Sequence, residues 1–111
     1  MKTTKKYAIA LVTAKNKREG RKIAEEILRE NLAACVTIVN GCESVYVWKG
    51  KTEKSSEVLL IIKTKMYLSK RLMIKIKQIH SYDVPEIIFV PIISGYADYL
   101  SWIDESVSSK K

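Results

Sequence analysis

The chain has 111 residues, of which 47% are hydrophobic and 29% are charged, a balance typical of one compact globular domain. No apolar run approaches the roughly 18–20 residues that a transmembrane helix needs, so we predict no membrane insertion. The formal net charge of +8 permits contacts with phosphates, and Cys35 and Cys42 are too few for a disulfide scaffold and match no zinc-binding spacing.

The first half of the chain predicts a strand, a helix and a second strand. Residues 7–14, "YAIALVTA", read as a buried strand and not as a signal peptide, which leads us to expect a cytoplasmic location. Residues 15–34 place their apolar side chains on one helical stripe, although Gly20 weakens the first turn. The β-branched stretch "AACVTIVNG" predicts a second strand that ends at Asn40-Gly41.

The second half predicts a long hairpin, a helix, a strand and a short terminal helix. In "SVYVWKGKTEKSSEVLLIIKTK" the turn is expected at Lys49-Gly50-Lys51. The stretch "MYLSKRLMIKIKQIH" has helical spacing and ends near His80. The apolar "PEIIFVPII" predicts a fourth strand, and Pro91 within it indicates a sheet edge or a bulge. The C-terminal "ADYLSWIDESV" predicts a short helix.

The predicted order is β-α-β followed by β-α-β and a terminal helix, in a single domain that spans 1–111. Right-handed crossovers place both long helices on one face of a four-stranded antiparallel sheet, which is the ferredoxin-like, split-βαβ arrangement. One short terminal helix is too small to cover the second apolar sheet face. We therefore expect that face to be buried against another subunit.

Several separate motifs coincide at fitting spacing along the chain. They are Ala34-Cys35-Val36, Tyr46-x-Trp48-x-Gly50, His80-x-Tyr82-x-x-Pro85-Glu86 and "DYLSWIDESV". In these motifs the chain resembles the CutA family of divalent-cation-tolerance proteins, over nearly its whole length. The resemblance implies a homotrimer joined by edge-to-edge strand pairing, a link to tolerance of copper and other divalent cations, and no catalytic activity. The chain departs from the family at Ser81, usually proline, and at Thr37, often asparagine.

His80 is the single histidine of the chain and the sharpest candidate for a metal ligand. For copper-binding members, the family resemblance implies a site formed by a cysteine of the first strand and adjacent histidines. Those positions here hold Val12 and Ile79. Because Cu(II) prefers several N or O ligands, Asp83, Glu86 or a neighbouring subunit would have to supplement the imidazole. We expect that the protein requires no cofactor, and that copper or another divalent cation is a candidate ligand. We expect His80 chiefly to shape a polar cleft.

The resemblance also implies a polar and aromatic cleft, able to hold a small anion or another metabolite. A structural ion pair between Glu57 and Lys63 is one alternative reading, and an interface role for Trp48 is another. The cleft candidates are Tyr46, Trp48, Glu57, Lys63, Thr64, Tyr82, Glu86, Tyr99 and Trp102.

A nucleic-acid-binding module that uses a basic helical face is the alternative from another class. Residues 1–22 carry eight Lys or Arg and one acid, and residues 63–77 carry six basic residues and no acid. RNA-recognition domains share the topology but stack bases on aromatic residues of central strands, and "EVLLIIKTK" has none. We therefore do not expect a nucleic-acid partner. The hypothesis of an enzyme has even less support, because no phosphate-binding loop, Ser/His/Asp set or carboxylate pair is evident in the sequence.

Overall fold

The computed structural model describes residues 2–108, with side chains from residue 5 onward. The predicted domain of 1–111 also includes residues 1 and 109–111, which lie outside the described residues. Within the described range, none of the helices is long and apolar enough to cross a bilayer. The elements are β1 (Lys2–Ala14), α1 (Lys17–Arg29), β2 (Cys35–Trp48), β3 (Lys51–Lys65), a 3₁₀ turn (Met66–Leu68), α2 (Ser69–Ile79), β4 (Ile87–Gly95) and α3 (Ala97–Val107).

The four strands form one antiparallel sheet in the order β2-β3-β1-β4. The central strands β1 and β3 pair with each other. The edge strands β2 and β4 follow α1 and α2, and a hairpin leads from β2 to β3. The predicted ferredoxin-like arrangement is therefore confirmed. Pro91 lies in the edge strand β4 opposite Ala8, as expected for a residue that cannot donate a ladder hydrogen bond.

The two long helices pack on one face of the sheet, where alternate residues of β1 and β3 are buried. Val12 and Leu60 have no exposed surface there and belong to the same core cluster as Ile23 of α1. Gly20 lets α1 lie close to β3, because a Cβ at this position would be 3.1 Å from the side chains of both Leu60 and Val58. The glycine that weakens the helix intrinsically thus permits its close packing on the sheet.

Among the described residues, those of α3 cover the opposite face of the sheet, at one end. Leu100 and Ile103 of α3 are buried against Tyr7 of β1. Away from α3, Ile88 and Val90 of the edge strand remain 49% and 44% exposed. We call this uncovered surface the open face; its apolar residues are Ile9, Leu11, Leu59, Ile61, Ile88 and Val90.

β2 is longer than the sequence pattern indicated. The predicted end at Asn40-Gly41 is wrong, because the strand continues to Trp48 through a β-bulge between Val39 and Cys42. Gly41 has a φ of 73°, in the left-handed region that glycine adopts without steric cost. Asn-Gly can make a turn or a bulge, and here the long partner strand β3 keeps both halves of β2 paired.

Beyond the bulge, β2 and β3 continue as a two-stranded hairpin over residues 42–57, which we call the projecting hairpin. Its strands pair with each other but not with β1, whose pairing with β3 begins at Val58. Lys49 and Gly50 have φ values of 52° and 79°, as a two-residue type I′ turn requires, so the predicted turn is confirmed. Trp48 beside the turn is 60% exposed, an unusual position for a large apolar side chain.

A polar network ties α3 to the sheet. The Tyr7 hydroxyl donates to Asp104 Oδ2 at 2.7 Å, and Lys65 Nζ pairs with the other carboxylate oxygen. Burial and the hydrogen bond to Asp104 raise the pKa of Tyr7 to about 12, so its hydroxyl remains a donor. Burial acts to raise the pKa of Asp104, but the bonds from Lys65 and Tyr7 outweigh it and hold this pKa below its usual range.

Acid is expected to weaken the docking of α3. Because the folded-state pKa of Asp104 is lowered, its carboxylate stabilises the fold above the ordinary aspartate pKa, and this contribution is lost as pH falls through the folded-state value. We expect Asp104→Asn to lower the free energy of unfolding by about 1 kcal/mol near neutral pH, since the site is partly exposed. Urea unfolding at neutral and at acidic pH should show a smaller difference in acid, because the contribution is lost as pH falls through the lowered pKa of Asp104. Glu105→Gln, on an exposed site of the same helix, is the control. A difference that is equal at both pH values would contradict this role.

Candidate ligand-binding cleft

A cleft of about 890 Å³ opens between the projecting hairpin and the segment that follows α2. The hairpin supplies one wall through both of its strands. Residues 82–86 supply the other, and Pro85 with its restricted φ leads this segment into β4. The lining residues are Thr13, Ser44, Val45, Tyr46, Trp48, Glu53, Ser55, Glu57, Tyr82, Val84 and Glu86.

Glu57 is the buried carboxylate of this cleft, with 8% of its surface exposed. One carboxylate oxygen accepts from the Ser44 hydroxyl, and the other accepts from the Tyr82 hydroxyl at 2.7 Å. Burial, followed by the bond to Glu57, raises the pKa of Tyr82 far above its ordinary value, so this hydroxyl stays protonated. Two neutral hydroxyls therefore satisfy a carboxylate that has no cationic partner among the described residues.

The cleft is acidic although the chain as a whole is basic. Glu53, Glu57 and Glu86 line it, and no Lys or Arg of the described residues does. Tyr46 and Trp48 add aromatic surfaces, whose faces attract cations. This lining favours a cationic ligand over the small anion that the sequence suggested.

His80 lies behind the cleft with both ring nitrogens engaged. Nε2 lies 2.7 Å from the carbonyl oxygen of Thr13, to which it donates, and Nδ1 accepts from the backbone N–H of Tyr82 at 3.0 Å. Its side chain is fully buried. A metal ion would have to displace one of these two hydrogen bonds, so metal ligation by His80 stays a prediction. Within residues 2–108 there is also no group of three or more His, Cys, Asp or Glu placed to hold a metal.

The sequence analysis missed Ser44, Glu53 and Ser55 of the cleft lining. It also missed Glu19, which lies behind the cleft beside His80. Its carboxylate accepts from the backbone N–H groups of Lys15 at 3.0 Å and Ser81 at 2.7 Å, and so joins the start of α1 to the segment after α2. Burial acts to raise the pKa of Glu19, but these hydrogen bonds outweigh it and lower the net value. The pattern Asn16-x-x-Glu19 is a helix-start signal, and Asn16 does accept from the Glu19 N–H at 2.8 Å. That signal predicts the cap but not the contact with Ser81.

Four of the predicted cleft residues lie at the other end of the sheet. Lys63 is six residues from Glu57 along β3, or roughly 20 Å in an extended strand. Its ammonium donates to Thr37 Oγ1 at 2.7 Å, so the suggested ion pair between Glu57 and Lys63 is wrong. The positions of the four residues are Lys63 and Thr64 on β3 and Tyr99 and Trp102 on α3.

These four residues have different surroundings. Thr64 is completely buried and donates to the carbonyl oxygen of Leu32 at 2.7 Å, which makes it a structural residue. The rings of Tyr99 and Trp102 lie 5.5 Å apart and are both partly exposed. Burial, with a contact to Cys35, raises the pKa of Tyr99. Within one chain, the cleft therefore gathers Tyr46, Trp48, Glu57, Tyr82 and Glu86 but not the other candidates.

The fold and the cleft together define a small ferredoxin-like α+β protein with an acidic, aromatic pocket beside a projecting hairpin. The family model described as CutA1 divalent ion tolerance protein matches residues 8–106. The chain belongs to this family. The resemblance drawn from the sequence motifs is thereby confirmed.

Relatives and solved structures share most of this chain. The protein named "Protein CutA, chloroplastic" from Arabidopsis thaliana is 48% identical over 98 residues, which are 88% of this chain and 54% of the relative. The crystal structure of CutA1 from Oryza sativa has a TM-score of 0.91 at 45% identity and covers 98% of this chain and 100% of that chain. The structure of CutA from Archaeoglobus fulgidus has a TM-score of 0.89 at 35% identity and covers 92% of this chain and 99% of that chain. This chain spans 54% and 59% of the length of the Arabidopsis and Oryza relatives.

The expected cytoplasmic location is corrected by these relatives. The Arabidopsis and Oryza proteins are named chloroplastic, and the Archaeoglobus protein is described as periplasmic. The strand predicted over residues 7–14 is present within the longer β1, but a strand at this position does not determine the compartment. A compact fold with two free cysteines is compatible with several compartments.

Proposed function

We propose that this protein is a non-catalytic homotrimer that contributes to divalent-cation tolerance by binding a cation in the cleft beside the projecting hairpin. Copper or another divalent metal ion is the first candidate ligand. The observation that carries the proposal is Glu57, a buried carboxylate that faces an acidic cleft. It accepts hydrogen bonds from two hydroxyls and forms no salt bridge with a described residue. A cation entering the cleft would compensate charge that the fold leaves uncompensated.

The open face supports the homotrimer. Its apolar residues continue across three neighbouring strands, since Ile88 pairs with Leu11 and Leu11 pairs with Ile61. Contiguous apolar surface of this kind is typical of subunit interfaces.

The absence of catalysis is proposed from the chemistry of the cleft. His80 is the one histidine, and both of its nitrogens are bonded to the backbone. Tyr82 is held protonated by burial and by Glu57, so it is a poor general base near neutral pH. A nucleic-acid-binding role is not favoured, because Ile9, Leu11 and Ile61 stand on the central strands where base-stacking aromatics would be needed.

The test is calorimetric titration of the assembled protein with Cu²⁺ and other divalent cations, in wild type and in Glu57→Gln. Glutamine keeps the size and the acceptor oxygen but removes the charge. We therefore expect at least about a tenfold loss of affinity, or about 1.4 kcal/mol. Glu105→Gln, an exposed carboxylate on α3, is the matched control and should bind as wild type does.

Equal cation affinity in wild type and Glu57→Gln would place the site elsewhere. His80→Ala, measured in parallel with the oligomeric state, would then test whether the imidazole is a ligand in spite of its internal hydrogen bonds. Tight binding of oligonucleotides with a steep salt dependence would instead favour the nucleic-acid alternative.

A further inference from the structure

The bulge of β2 contains the neighbouring residues Asn40 and Gly41, and the side chain of Asn40 can react with the backbone nitrogen of Gly41. Asn40 and Gly41 are both exposed, and neither has a partner in the register that joins β2 to β3. The Asn40 side chain makes no hydrogen bond with any described residue. Gly41 has a φ of 73°, and nothing lies within 4 Å of a Cβ added there, so no neighbouring group crowds this side of the junction.

The chemistry available to this pair is deamidation through a cyclic imide. The backbone nitrogen of Gly41 attacks Cγ of Asn40, a C–N bond forms, and the Cγ–Nδ2 bond breaks. The displaced amide nitrogen leaves as ammonia and carries away the proton that Gly41 loses. Water then opens the five-membered ring at either carbonyl carbon, giving aspartate or isoaspartate. The net reaction consumes one water and releases one ammonia, with no oxidant or reductant.

The other two asparagines of the chain provide internal comparisons. Asn16 caps α1, and its side-chain oxygen accepts from the Glu19 N–H, which restrains the amide. Asn31 precedes Leu32, whose nitrogen donates to the carbonyl oxygen of Ile27 at 3.0 Å and is thus occupied. Both are followed by residues with bulky side chains, whereas Asn40 is followed by glycine. The three sites differ in the features that control attack on the amide.

We propose that Asn40 is a site of spontaneous deamidation, and that the modification loosens the projecting hairpin. Isoaspartate inserts an additional carbon into the backbone of β2, at the junction between the paired body of the sheet and residues 42–57. A strand tolerates such an insertion poorly, because the side chains and ladder hydrogen bonds that follow are displaced from their register. Either product also adds a negative charge beside a groove lined by Glu43, Glu57 and Lys15.

The experiment ages the full-length, assembled protein at mildly alkaline pH and physiological temperature. Peptide mapping by mass spectrometry then measures the conversion of each asparagine, and isoaspartyl methyltransferase labelling identifies isoaspartate. We expect Asn40 to convert at least about tenfold faster than Asn16 or Asn31, equivalent to a barrier difference of about 1.4 kcal/mol. Hydrogen exchange should rise in residues 42–57 of the aged protein and stay unchanged in α1.

Asn40→Gln is the matched variant, because it keeps the exposed amide but would require a larger ring. It should show neither conversion at residue 40 nor increased exchange in the hairpin on ageing. Conversion at Asn16 or Asn31 as fast as at Asn40, or no conversion at Asn40, would overturn the proposed site. Conversion at Asn40 with unchanged hairpin exchange would overturn the proposed effect on the hairpin.

Discussion

Replacing Ile88 by lysine is expected to convert the proposed homotrimer into folded monomers. Ile88 is 49% exposed in a single chain, so a lysine there can keep its ammonium in water while the subunit is alone. In an assembly formed through the open face, the same charge would lose hydration without gaining a partner. We expect each buried lysine to cost about 3 kcal/mol, or roughly a hundredfold in the dissociation constant.

Sedimentation equilibrium at micromolar concentrations, together with circular dichroism, measures this change. Ile74→Lys on α2 is the matched control, since Ile74 is 47% exposed but lies on a helix away from the open face. The control should remain assembled. A wild-type chain that is monomeric across the concentration range, or an Ile88→Lys variant that assembles as wild type does, would contradict burial of the open face in a trimer.

Replacing Glu19 by alanine should produce the largest loss of stability among changes near the cleft. The carboxylate is 7% exposed and satisfies two backbone N–H groups, those of Lys15 and Ser81. Without it, both donors lose their acceptor at partly buried positions. We expect the free energy of unfolding to fall by about 2–4 kcal/mol, since each unsatisfied donor costs about 1–3 kcal/mol.

Urea unfolding measures the loss, and hydrogen exchange of the Ser81 and Tyr82 amides reports whether the segment behind the cleft is released. Glu25→Ala is the control, because Glu25 is an exposed residue of the same helix and should change stability by less than about 0.5 kcal/mol. If Glu19→Ala and Glu25→Ala are equally stable, Glu19 does not hold the two segments together. A loss in Glu19→Ala without faster exchange at Ser81 would limit its role to the helix start.

Glu19 also illustrates why the candidate site was only partly predictable. The relevant contacts join residues that are far apart in sequence: Ser81 and Glu19 are separated by 62 positions, and His80 and Thr13 by 67. The sequence analysis named Asp83, Glu86 or a neighbouring subunit as the source of groups that would supplement His80. The structure places Glu19 Oε2 3.7 Å from Nδ1, with both atoms accepting from backbone N–H groups.

The division of the predicted cleft residues has the same origin. Glu57 and Lys63 lie on one strand and have the same parity, so a pattern of alternating faces puts them on the same side of the sheet. Only the length of β3 separates them, and its two ends contact different elements: the segment after α2 at Glu57, and α3 near Lys65.

By itself, the sequence determined the order of the elements, the ferredoxin-like topology, the turn at Lys49-Gly50, the edge position of Pro91 and the terminal helix. The elements follow from local periodicity, the turn from the φ preference of glycine, and the edge position of Pro91 from its missing N–H donor. The topology then follows from the right-handedness of crossovers between these elements. The tertiary structure alone decided that β2 passes through a bulge, that Glu19 binds Ser81, and that hydrogen bonds occupy both nitrogens of His80. These features depend on the register between strands and on the distances between packed elements, which are set by the whole core and not by any short segment.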